Sequence, residues 1–540
     1  MSTMQPTKEQ KRILSEARDC VVIAKPGSGK TFTLALKIRA ILAELPEYKG
    51  VVAISFTNKA SDELQGRCLS GGVARKASFF GTIDKFFLTE IVIPFGRQIF
   101  GDPKEELSVV EAESESELDL VGSILDSGDY AKVVSEYLSE LSKLYVTGRV
   151  VLEAFGFMAM YVFNNSRACR RYLRARYSHL VVDEYQDCGF WQHALFVRLC
   201  DLGLRAIVVG DLDQSIFAFA RKDPKYLVEL ARDSERFVLY PLSKNHRCHR
   251  SIVNYSARLL SASSVELQTS ETRVYECQIE GSEAQLAEWI DREVGRLTEV
   301  IDVVDMSRVA VLFRGRRTGN LVHQNLSIPH KAVVPTPLDT EPSLWGALFR
   351  KVLGIAFARE RTKFELAEEY LSLEYQTREV RKVMKLVREI VEIAENNADD
   401  LKERIGLFIE VARMVLPAAA NDRAIDSLSR VLSSRSLLGS FIPAGEDEVQ
   451  LMTLHRSKGL EFDLVFHLDL YRFIMPKYKC TEDEYVQDLN LHYVGITRAR
   501  NAVVLCTSTY RHNSEGSIVR AEPSEFMYLN GVEQMRVEWK

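Results

Sequence analysis

Runs of consecutive apolar residues, each closed by polar or turn residues, recur along the chain in two blocks. Because the runs are apolar throughout instead of alternating, they predict strands of parallel sheets that are buried on both faces. Stretches with helical patterning separate the runs, as is typical of α/β folds. The predicted strands cover residues 21–24, 51–55, 180–184 and 205–211 in the first block and residues 237–240, 309–313, 450–454, 464–468 and 502–506 in the second. The pattern therefore predicts two α/β lobes.

A long, mostly helical stretch interrupts each predicted lobe. The first begins with an acidic run, which favours a solvated loop or helix face over a binding site. In the second, Val380, Val383, Val387 and Ile390 follow helical spacing and predict an amphipathic core helix. The expected first lobe comprises residues 1–87 and 178–234 with an insertion at 88–177, and the second comprises residues 235–315 and 448–540 with an insertion at 316–447.

The chain is long enough for about three or four domains, since one domain usually has roughly 100 to 200 residues. Its 540 residues carry a formal net charge of −5. Because this overall charge repels phosphate, any surface that binds nucleic acid must be a local basic patch. The longest apolar stretch, residues 150–163, contains Glu153 and is too short to span a bilayer. Residues 1–12 lack the apolar core of a signal peptide. We therefore expect a cytoplasmic protein with no membrane partner.

Residues 24–31, Ala-Lys-Pro-Gly-Ser-Gly-Lys-Thr, follow a predicted strand and open a helical run. This setting predicts a phosphate-binding loop, in which backbone N–H groups and a helix N-terminus surround a β-phosphate. Lys30 would reach the β- and γ-phosphate oxygens, and the Thr31 hydroxyl would bind Mg²⁺. The alternative is a simple glycine turn between strand and helix. The expected nucleotide-binding residues of the loop are Ala24, Pro26, Gly27, Ser28, Gly29, Lys30 and Thr31.

Two adjacent acids end the predicted strand at 180–184. At the carboxyl edge of a parallel sheet, Asp183 would hold Mg²⁺ through water, and Glu184 would orient and deprotonate the attacking water. Gln214 follows the strand at 205–211 and would sense a γ-phosphate at the same edge. A solvated acidic turn is the alternative for the two acids. A phosphate loop with two acids also fits many kinds of NTPase.

The order of these and further motifs resembles the UvrD/Rep/PcrA family of superfamily 1 DNA helicases. The motifs run from Gln10 to Ala499 and cover nearly all of the chain, and the last two are long and nearly diagnostic. They comprise residues 6–10, 24–31, 54–60, 81–84, 183–184, 214, 244–247, 449–462 and 493–499. The resemblance implies an α/β fold of two RecA-like lobes, with ATP and Mg²⁺ bound between them.

The resemblance implies that both lobes contribute to the ATP site. Gln10 would read adenine, and Glu461 would approach the ribose. Arg247 and Arg498 would neutralise charge on the γ-phosphoryl group from the second lobe. The implied catalytic residues are Lys30, Asp183, Glu184, Gln214, Arg247 and Arg498; the implied nucleotide-binding residues outside the phosphate loop are Gln10, His246, Arg247, Glu461 and Arg498; Thr31 and Asp183 would bind the metal.

The resemblance also implies a path for single-stranded DNA across the lobes. Aromatic side chains would stack on bases, a sequence-tolerant contact worth about 1–3 kcal/mol per base, and polar side chains would meet the sugar-phosphate backbone. A core position is the alternative for each phenylalanine. The implied DNA-binding residues are Phe56, Phe217 and Phe219 for stacking and Thr57, Asn58, Thr82 and His455 for the backbone.

Four positions depart from the family pattern. His246 and Phe32 stand where the family usually has tyrosine and arginine, which leaves base selectivity open. Phe219 and Ala220 stand where tryptophan and arginine are common. These two departures weaken the expected coupling between DNA stacking and the nucleotide.

Two functions fit these motifs. The first is an ATP-dependent motor that moves 3′ to 5′ on single-stranded DNA and separates duplexes, with the direction implied by the family. The second is a DNA- or nucleotide-sensing ATPase subunit of a larger complex, which unwinds DNA poorly by itself. This function is implied by the resemblance of the chain to the compact UvrD-like subunits of the Gabija antiphage system, which are partnered with an OLD-family nuclease. A non-enzymatic DNA-binding protein is disfavoured because Lys30, Glu184, Arg247 and Arg498 are all present.

Overall fold

Two parallel sheets organise the chain. The computed structural model describes residues 5–539 except residues 106, 111, 113, 215–223, 342, 360–361 and 372–375. Within these residues one sheet has six strands and the other seven, and apolar cores lie on both faces of each. The predicted α/β fold with two parallel-sheet lobes is confirmed.

Residues 8–86 contain the first three strands of the six-stranded sheet and four helices. Their elements are α1 (Lys8–Ser15), β1 (Cys20–Ala24), α2 (Lys30–Glu44), β2 (Gly50–Ser55), α3 (Asn58–Leu69), β3 (Phe79–Thr82) and α4 (Ile83–Phe86). Every residue of β2 is buried, as expected for a central strand of a parallel sheet. The phosphate loop lies between β1 and α2, at the carboxyl edge of this sheet.

The first insertion is mostly helical and has a small sheet of its own. A π-helical turn (Phe87–Val92) leads from α4 into it. Its elements are α5 (Ile93–Phe95), α6 (Arg97–Phe100), β4 (Ser108–Val110), α7 (Glu115–Ser127), α8 (Tyr130–Val146), β5 (Arg149–Val151), α9 (Phe155–Asn165) and α10 (Arg167–Arg176). Its apolar side chains share one core with one face of the first sheet.

Three further strands complete the first sheet. They are β6 (Tyr177–Val182), β7 (Arg205–Gly210) and β8 (Val238–Leu242), with α11 (Phe190–Asp201) and α12 (Lys225–Arg232) between them. The strand order is β3-β2-β6-β7-β1-β8, and all pairs are parallel. β6 ends at Val182, so the two acids lie in the turn that follows it.

The prediction that placed residues 237–240 in the second lobe is wrong. These residues contribute to β8, which pairs with β1, with Val21 opposite Leu239. β8 is an edge strand with partly exposed residues, and its apolar content alone does not indicate which sheet it joins. The expected lobe boundary at residue 234 therefore falls before the last strand of the first sheet.

The second lobe begins after β8. Its first elements are α13 (Arg250–Leu260), β9 (Val274–Ile279), α14 (Glu283–Val300), β10 (Val309–Phe313), α15 (Arg316–Asn325) and β11 (His330–Ala332). β11 pairs with a later strand of the second sheet, with Lys331 opposite Gln450. Residues 330–332 therefore belong to the second sheet, although the sequence pattern placed them in the insertion.

The second insertion follows β11 and is helical. Its helices are α16 (Pro337–Thr340), α17 (Leu344–Phe357), α18 (Lys363–Tyr370), α19 (Thr377–Asn397), α20 (Ile405–Val415), α21 (Asp422–Leu432) and α22 (Arg435–Gly439). Val380, Val383, Val387 and Ile390 are buried on α19, which confirms the predicted amphipathic helix. The insertion has an apolar core separate from those of the two sheets.

The remaining elements complete the second lobe. They are β12 (Val449–Thr453), β13 (Phe462–His467), α23 (Glu482–Thr497), β14 (Ala499–Ser508), β15 (Tyr510–His512), β16 (Ile518–Arg520) and β17 (Val537–Glu538). The sheet order is β11-β12-β10-β13-β14-β9-β17, with parallel pairs throughout, and β15 and β16 form a separate antiparallel hairpin. Among the helices described here, none is long and apolar enough to cross a membrane.

Candidate functional site

The phosphate loop touches the second lobe at its tip. Gly27 and Gly29 have φ values of 67° and 82°, a left-handed region that glycine enters without steric strain. A Cβ atom at Gly27 would lie 2.6 Å from Cβ of Arg247. The backbone N–H of His246 donates to the Gly27 carbonyl oxygen at 2.8 Å. The residue at this position must therefore be small for the lobes to meet here.

Lys30 and Glu184 form an ion pair beside the loop. Lys30 begins α2, and its Nζ lies 3.1 Å and 3.3 Å from the two carboxylate oxygens of Glu184. Glu184 has a φ of 56°, which is uncommon for a residue with a side chain and is often found at functional sites. Asp183 is buried, and its Oδ1 accepts the N–H of Glu184 at 2.9 Å. The two acids and the lysine thus form one cluster.

Gln186 connects the turn after β6 with the turn after β7. Its amide nitrogen donates to Glu184 Oε2 at 2.5 Å, and its amide oxygen accepts the N–H of Asp211 at 2.9 Å. Asp211 accepts a hydrogen bond from the amide nitrogen of Gln214 at 2.6 Å. Both Asp211 and Gln214 are buried. A continuous chain of hydrogen bonds therefore fixes the two polar turns relative to each other.

Arginine side chains of the second lobe lie beside the phosphate loop and these polar turns. Arg498 is buried, and its Nη2 donates to Oε1 of Gln214 at 3.0 Å. Nη2 of Arg247 lies 2.8 Å from Oε1 of Glu461. Nε of Arg500 donates to the other carboxylate oxygen of Glu461, also at 2.8 Å. Glu461 is therefore held between two guanidinium groups.

A cavity of about 280 Å³ lies between the lobes at these residues. It is lined by Gln5, Thr7, Gln10, Pro26, Gly27, Ser28, Gly29, Lys30, Thr31, Phe32, Ala60, Glu63, Arg67, Asp183, Glu184 and Gln214 of the first lobe and His246, Arg247, Gly459, Glu461, Arg498 and Arg500 of the second. Unlike the other expected nucleotide-binding residues, Ala24 does not line the cavity. It is the last residue of β1 and is buried in the apolar core behind the loop.

Burial and neighbouring charges shift the ionisation of the cluster. Burial, reinforced by the charge of Glu184, raises the pKa of Asp183 to about 7. Burial opposes ionisation of Glu184, but the charges of Lys30 and Lys458 outweigh it and lower the pKa of Glu184 to about 2. Burial disfavours the Lys30 ammonium, yet the surrounding carboxylates raise its pKa. Burial lowers the pKa of Arg498 to about 10. Lys30, Glu184 and Arg498 are therefore all charged at neutral pH.

Gln10 attaches α1 to the phosphate loop. Its Nε2 donates to the carbonyl oxygen of Ser28 at 3.1 Å, and its Oε1 accepts the N–H of Thr7 at 2.9 Å. An amide has a second N–H and a second lone pair, so Gln10 retains the capacity to bond to a base. Partial burial and the charge of Lys244 lower the pKa of His246, which faces the same cavity as a neutral ring.

Two family models match segments of the chain that contribute to this site. The model of the UvrD-like helicase C-terminal domain matches residues 353–510, and a model described as an AAA domain matches residues 8–220. The first segment includes Glu461 and Arg498, and the second includes the phosphate loop, Glu184 and Gln214.

Named relatives align with most of the chain. Gabija protein GajB of Bacillus cereus (strain VD045) is 25% identical over 514 residues, which cover 93% of this chain and 96% of that protein. ATP-dependent DNA helicase Rep of Escherichia coli (strain K12) is 22% identical over 629 aligned positions, covering 94% and 91%. ATP-dependent DNA helicase UvrD2 of Mycobacterium tuberculosis (strain ATCC 25618 / H37Rv) is 24% identical over 589 positions, covering 97% and 81%. Over most of its length the chain is therefore similar to UvrD/Rep-like helicases of superfamily 1.

The cavity between the lobes fits an anionic nucleotide. Ser28 Oγ and Arg247 Nε are buried and have no hydrogen-bond partner among the described residues. A buried polar atom without a partner is costly, so a ligand with acceptor oxygens is favoured at both atoms. A triphosphate supplies such oxygens next to the glycine loop and the arginines. The residues present therefore fit ATP.

Thr31 and Asp183 are the residues that fit a magnesium ion. Both line the cavity beside Lys30. Mg²⁺ is commonly held by one or two protein oxygens together with phosphate oxygens and water. In the described part of the chain, no group of three or more His, Cys, Asp or Glu residues is placed to hold a metal ion. The chemistry of the site thus suits a nucleotide-bound Mg²⁺.

Three of the DNA-binding residues expected in the first lobe, Phe56, Thr57 and Thr82, lie together at one sheet edge. Ser55 of β2 is opposite Thr82 of β3, so Phe56 and Thr57 lie next to Thr82. The hydroxyls of Thr57 and Thr82 cap α3 and α4 by accepting backbone N–H groups at 3.2 Å and 3.3 Å. Phe56 is partly buried and packs against the first-lobe core, so part of its ring already has a structural role.

Other expected DNA-binding residues are only partly described or lie elsewhere. Phe217 and Phe219 lie outside the described residues, as does the side chain of Asn58. His455 follows β12 in the second lobe, where burial and nearby cations, first Arg314, lower its pKa to about 4. Its imidazole is therefore neutral, and it can act as a hydrogen-bonding group but not as a cation.

Several site residues were missed by sequence reasoning. Arg500 holds Glu461, and Gln186 connects the two acidic turns. Asn245 accepts the backbone N–H groups of Arg247 and the next residue at 2.7 Å and 2.8 Å, which shapes the loop that carries Arg247. All three lie inside a motif or within two residues of one. Proximity to a motif is the signal that could have found them.

Proposed function

We propose that this protein is an ATP-dependent DNA motor of the cytoplasm, which hydrolyses ATP between its lobes and moves 3′ to 5′ on single-stranded DNA to separate duplexes. The observation that carries the proposal is the set of charged and polar groups spanning both lobes, in which Lys30 pairs with Glu184 and Arg498 bonds to Gln214. Two relatives, Rep and UvrD2, bear the name ATP-dependent DNA helicase.

The proposed hydrolysis requires charges from both lobes. Lys30 would leave Glu184 for the phosphate oxygens, which frees the Glu184 carboxylate to orient and deprotonate a water molecule. Arg247 would exchange Glu461 for the γ-phosphoryl group. An arginine in this role contributes roughly 10³ to 10⁵ in rate. Mg²⁺ held by Thr31 and Asp183 would add positive charge at the phosphate oxygens.

Movement on DNA would follow from closure of the lobes. Because the arginines and the phosphate loop belong to different lobes, ATP bound between them favours the closed arrangement, and product release permits opening. Bases gripped at the edge formed by Phe56, Thr57 and Thr82 would then shift relative to the second lobe, where His455 lies. One round of hydrolysis would thereby advance the strand.

Unwinding of tailed duplexes tests this proposal. A duplex with a 3′ single-stranded tail should be separated in the presence of ATP and Mg²⁺, whereas a duplex with only a 5′ tail should not. Separation of the 5′-tailed duplex alone would contradict the proposed direction. Separation of neither, with intact ATP hydrolysis, would favour the second candidate function.

The second candidate is a DNA- or nucleotide-sensing ATPase subunit of an antiphage complex, with an OLD-family nuclease as partner and weak unwinding of its own. The favouring observation is that the match to GajB spans 93% of this chain and 96% of that protein, so the two have nearly the same extent. Co-purification with a stoichiometric nuclease from cells that encode both would support this candidate. A monomer that unwinds DNA processively would contradict it.

A further inference from the structure

Lys458 of the second lobe reaches across the lobe boundary into the first. It lies in the turn after β12, and its Nζ is 2.7 Å from Oδ2 of Asp187 and 3.1 Å from the backbone carbonyl oxygen of Gln214. The Lys458 side chain is 11% exposed and that of Asp187 only 2% exposed. Because water is largely excluded, solvent screens this charge pair far less than a surface pair.

The two groups that Lys458 contacts belong to the two polar turns of the nucleotide site. Asp187 ends the 3₁₀ turn that begins directly after Glu184, and Gln214 ends the 3₁₀ turn after β7. Gln186 already connects these turns within the first lobe. Lys458 adds a second connection, and this one depends on the position of the second lobe.

The second lobe therefore holds Gln214 at two points. Arg498 bonds to the side-chain oxygen of Gln214, and Lys458 bonds to its backbone oxygen. The lining of the nucleotide cavity, as far as the described residues define it, includes Arg498 but not Lys458. Any influence of Lys458 on the nucleotide is therefore indirect.

Separation of the lobes would break both contacts of Lys458. The buried Asp187 carboxylate would lose this cation, and the Gln214 carbonyl oxygen would lose a donor, both of which are unfavourable for buried groups. Closure thus changes both the anchoring and the electrostatic surroundings of the turn that carries Glu184.

We propose that Lys458 is a positioning residue for ATP hydrolysis, which holds the turns of Glu184 and Gln214 in the hydrolytic arrangement when the lobes are closed. This inference rests on the proposed ATPase function and deepens it. It assigns Lys458 no contact with the nucleotide. Its consequence is that loss of the Lys458 charge slows turnover without removing the binding site for ATP.

The first test compares Lys458→Met, which retains an unbranched apolar side chain, with Lys458→Arg, which retains a cation. Misplacement of catalytic groups by about 1 Å can cost on the order of 10² in rate. We expect DNA-stimulated kcat to fall roughly 10- to 100-fold in Lys458→Met, with the KM for ATP within about threefold of wild type. Lys458→Arg should restore most of the rate, because a guanidinium group can donate to both acceptors.

A lysine on the surface of the second insertion provides the control. Lys382 pairs with Glu410 at 2.8 Å and its side chain is 58% exposed, so Lys382→Ala should leave kcat and KM unchanged. Wild-type turnover in Lys458→Met, or an equal loss in Lys458→Arg, would overturn the inference. A wild-type chain without ATP hydrolysis would instead contradict the proposed function itself.

A distance measurement separates lobe positioning from a general loss of structure. Spin labels at Tyr48→Cys and Val304→Cys would report the separation of the lobes, since these side chains are 72% and 90% exposed. The background would carry Cys248→Ala and Cys480→Ala, which remove the two partly exposed thiols. With a non-hydrolysable ATP analogue, the wild-type background should give one short distance and Lys458→Met a broader, longer distribution. Identical distributions would overturn the inference.

Discussion

Arg498 donates a hydrogen bond from Nη2 to Oε1 of Gln214 at 3.0 Å, and both side chains are buried at the boundary between the lobes. Gln214 is held from its own lobe by Asp211 at 2.6 Å. Because the donor and the acceptor come from different lobes, this bond exists only when the lobes are together. The contact therefore joins the polar turns of the first lobe to the arginines of the second.

Arg498→Ala should abolish efficient hydrolysis. Loss of an arginine that stabilises the γ-phosphoryl charge lowers the rate by roughly 10³ to 10⁵, and the Gln214 side chain also loses its inter-lobe partner. Steady-state ATP hydrolysis with single-stranded DNA measures the effect. Arg435→Ala is a suitable control because this side chain is 87% exposed and pairs with Asp399 on the second insertion. A rate within threefold of wild type in Arg498→Ala would remove Arg498 from the catalytic set.

Glu184→Gln should separate ATP binding from turnover. The amide keeps the size of the side chain but cannot accept a proton from water, so hydrolysis should stop while nucleotide binding persists. Binding of a fluorescent ATP analogue and release of phosphate, measured on the same preparation, test both parts. Turnover close to that of wild type would mean that another group acts as the base.

Gly27→Ala should impair closure of the lobes. The new methyl group would lie 2.6 Å from Cβ of Arg247 and 2.8 Å from Oδ1 of Asn245, and the first of these atoms lies too close to the backbone to move freely. Gly71→Ala is a control with a similar backbone conformation, since φ is +74° at Gly71 and +67° at Gly27. The atom nearest to the new methyl group there is Nη2 of Arg39, 3.8 Å away. The shared left-handed strain costs about 1–2 kcal/mol in each variant.

Thermal unfolding and ATP hydrolysis distinguish the two glycine variants. Both should lose similar stability, whereas hydrolysis should fall at least roughly tenfold only in Gly27→Ala, because placement of the arginines depends on close contact at this point. Equal activity in the two variants would show that the contact between Gly27 and the second lobe is not needed for turnover.

The second lobe should lose stability in acid because of a buried histidine pair. Nδ1 of His492 lies 3.0 Å from Nε2 of His467, and both rings are fully buried. Burial lowers the pKa of His467 to about 4 and that of His492 well below its ordinary value. The unfolded chain binds protons near pH 6.5 and the folded chain does not, so this stability is present above pH 6.5 and is lost as the pH falls towards 4.

The size of the acid effect can be estimated for His467. A pKa lowered from 6.5 to about 4 corresponds to about 3 kcal/mol once the pH is below both values. The free energy of unfolding, measured by denaturant titration at pH 7.5, 6 and 5, should decrease in that order. His467→Gln should show a shallower decrease. The same slope in wild type and variant would contradict this origin of the acid sensitivity.

The sequence alone was sufficient to predict the central strands of each sheet. β2, β7 and β10 are short, nearly continuous apolar runs because central parallel strands are buried on both faces. β8 was placed in the wrong lobe, and β11 was missed, because edge strands are short or partly exposed and their partners are remote in sequence. Hydrophobic patterning cannot indicate which sheet such strands join.

The candidate site was recognisable from its motifs, but its connections were not. Lys30, Glu184 and Gln214 each lie in a stretch that is distinctive by itself, since their chemistry requires certain residue types at certain spacings. The contact of Lys458 with Asp187 joins residues 271 positions apart, and that of Arg498 with Gln214 joins residues 284 apart. Contacts of this kind depend on how the lobes pack, which no local pattern specifies.

ATP hydrolysis by the purified chain, with and without single-stranded DNA, tests the central claim most directly when wild type and Lys30→Ala are compared. We expect hydrolysis by wild type that increases strongly with DNA, and none above background in Lys30→Ala, because the ammonium group paired with Glu184 is the one that would bind the phosphates. Equal hydrolysis by the two proteins, or none by wild type with DNA present, would contradict an ATP-driven motor built on this site.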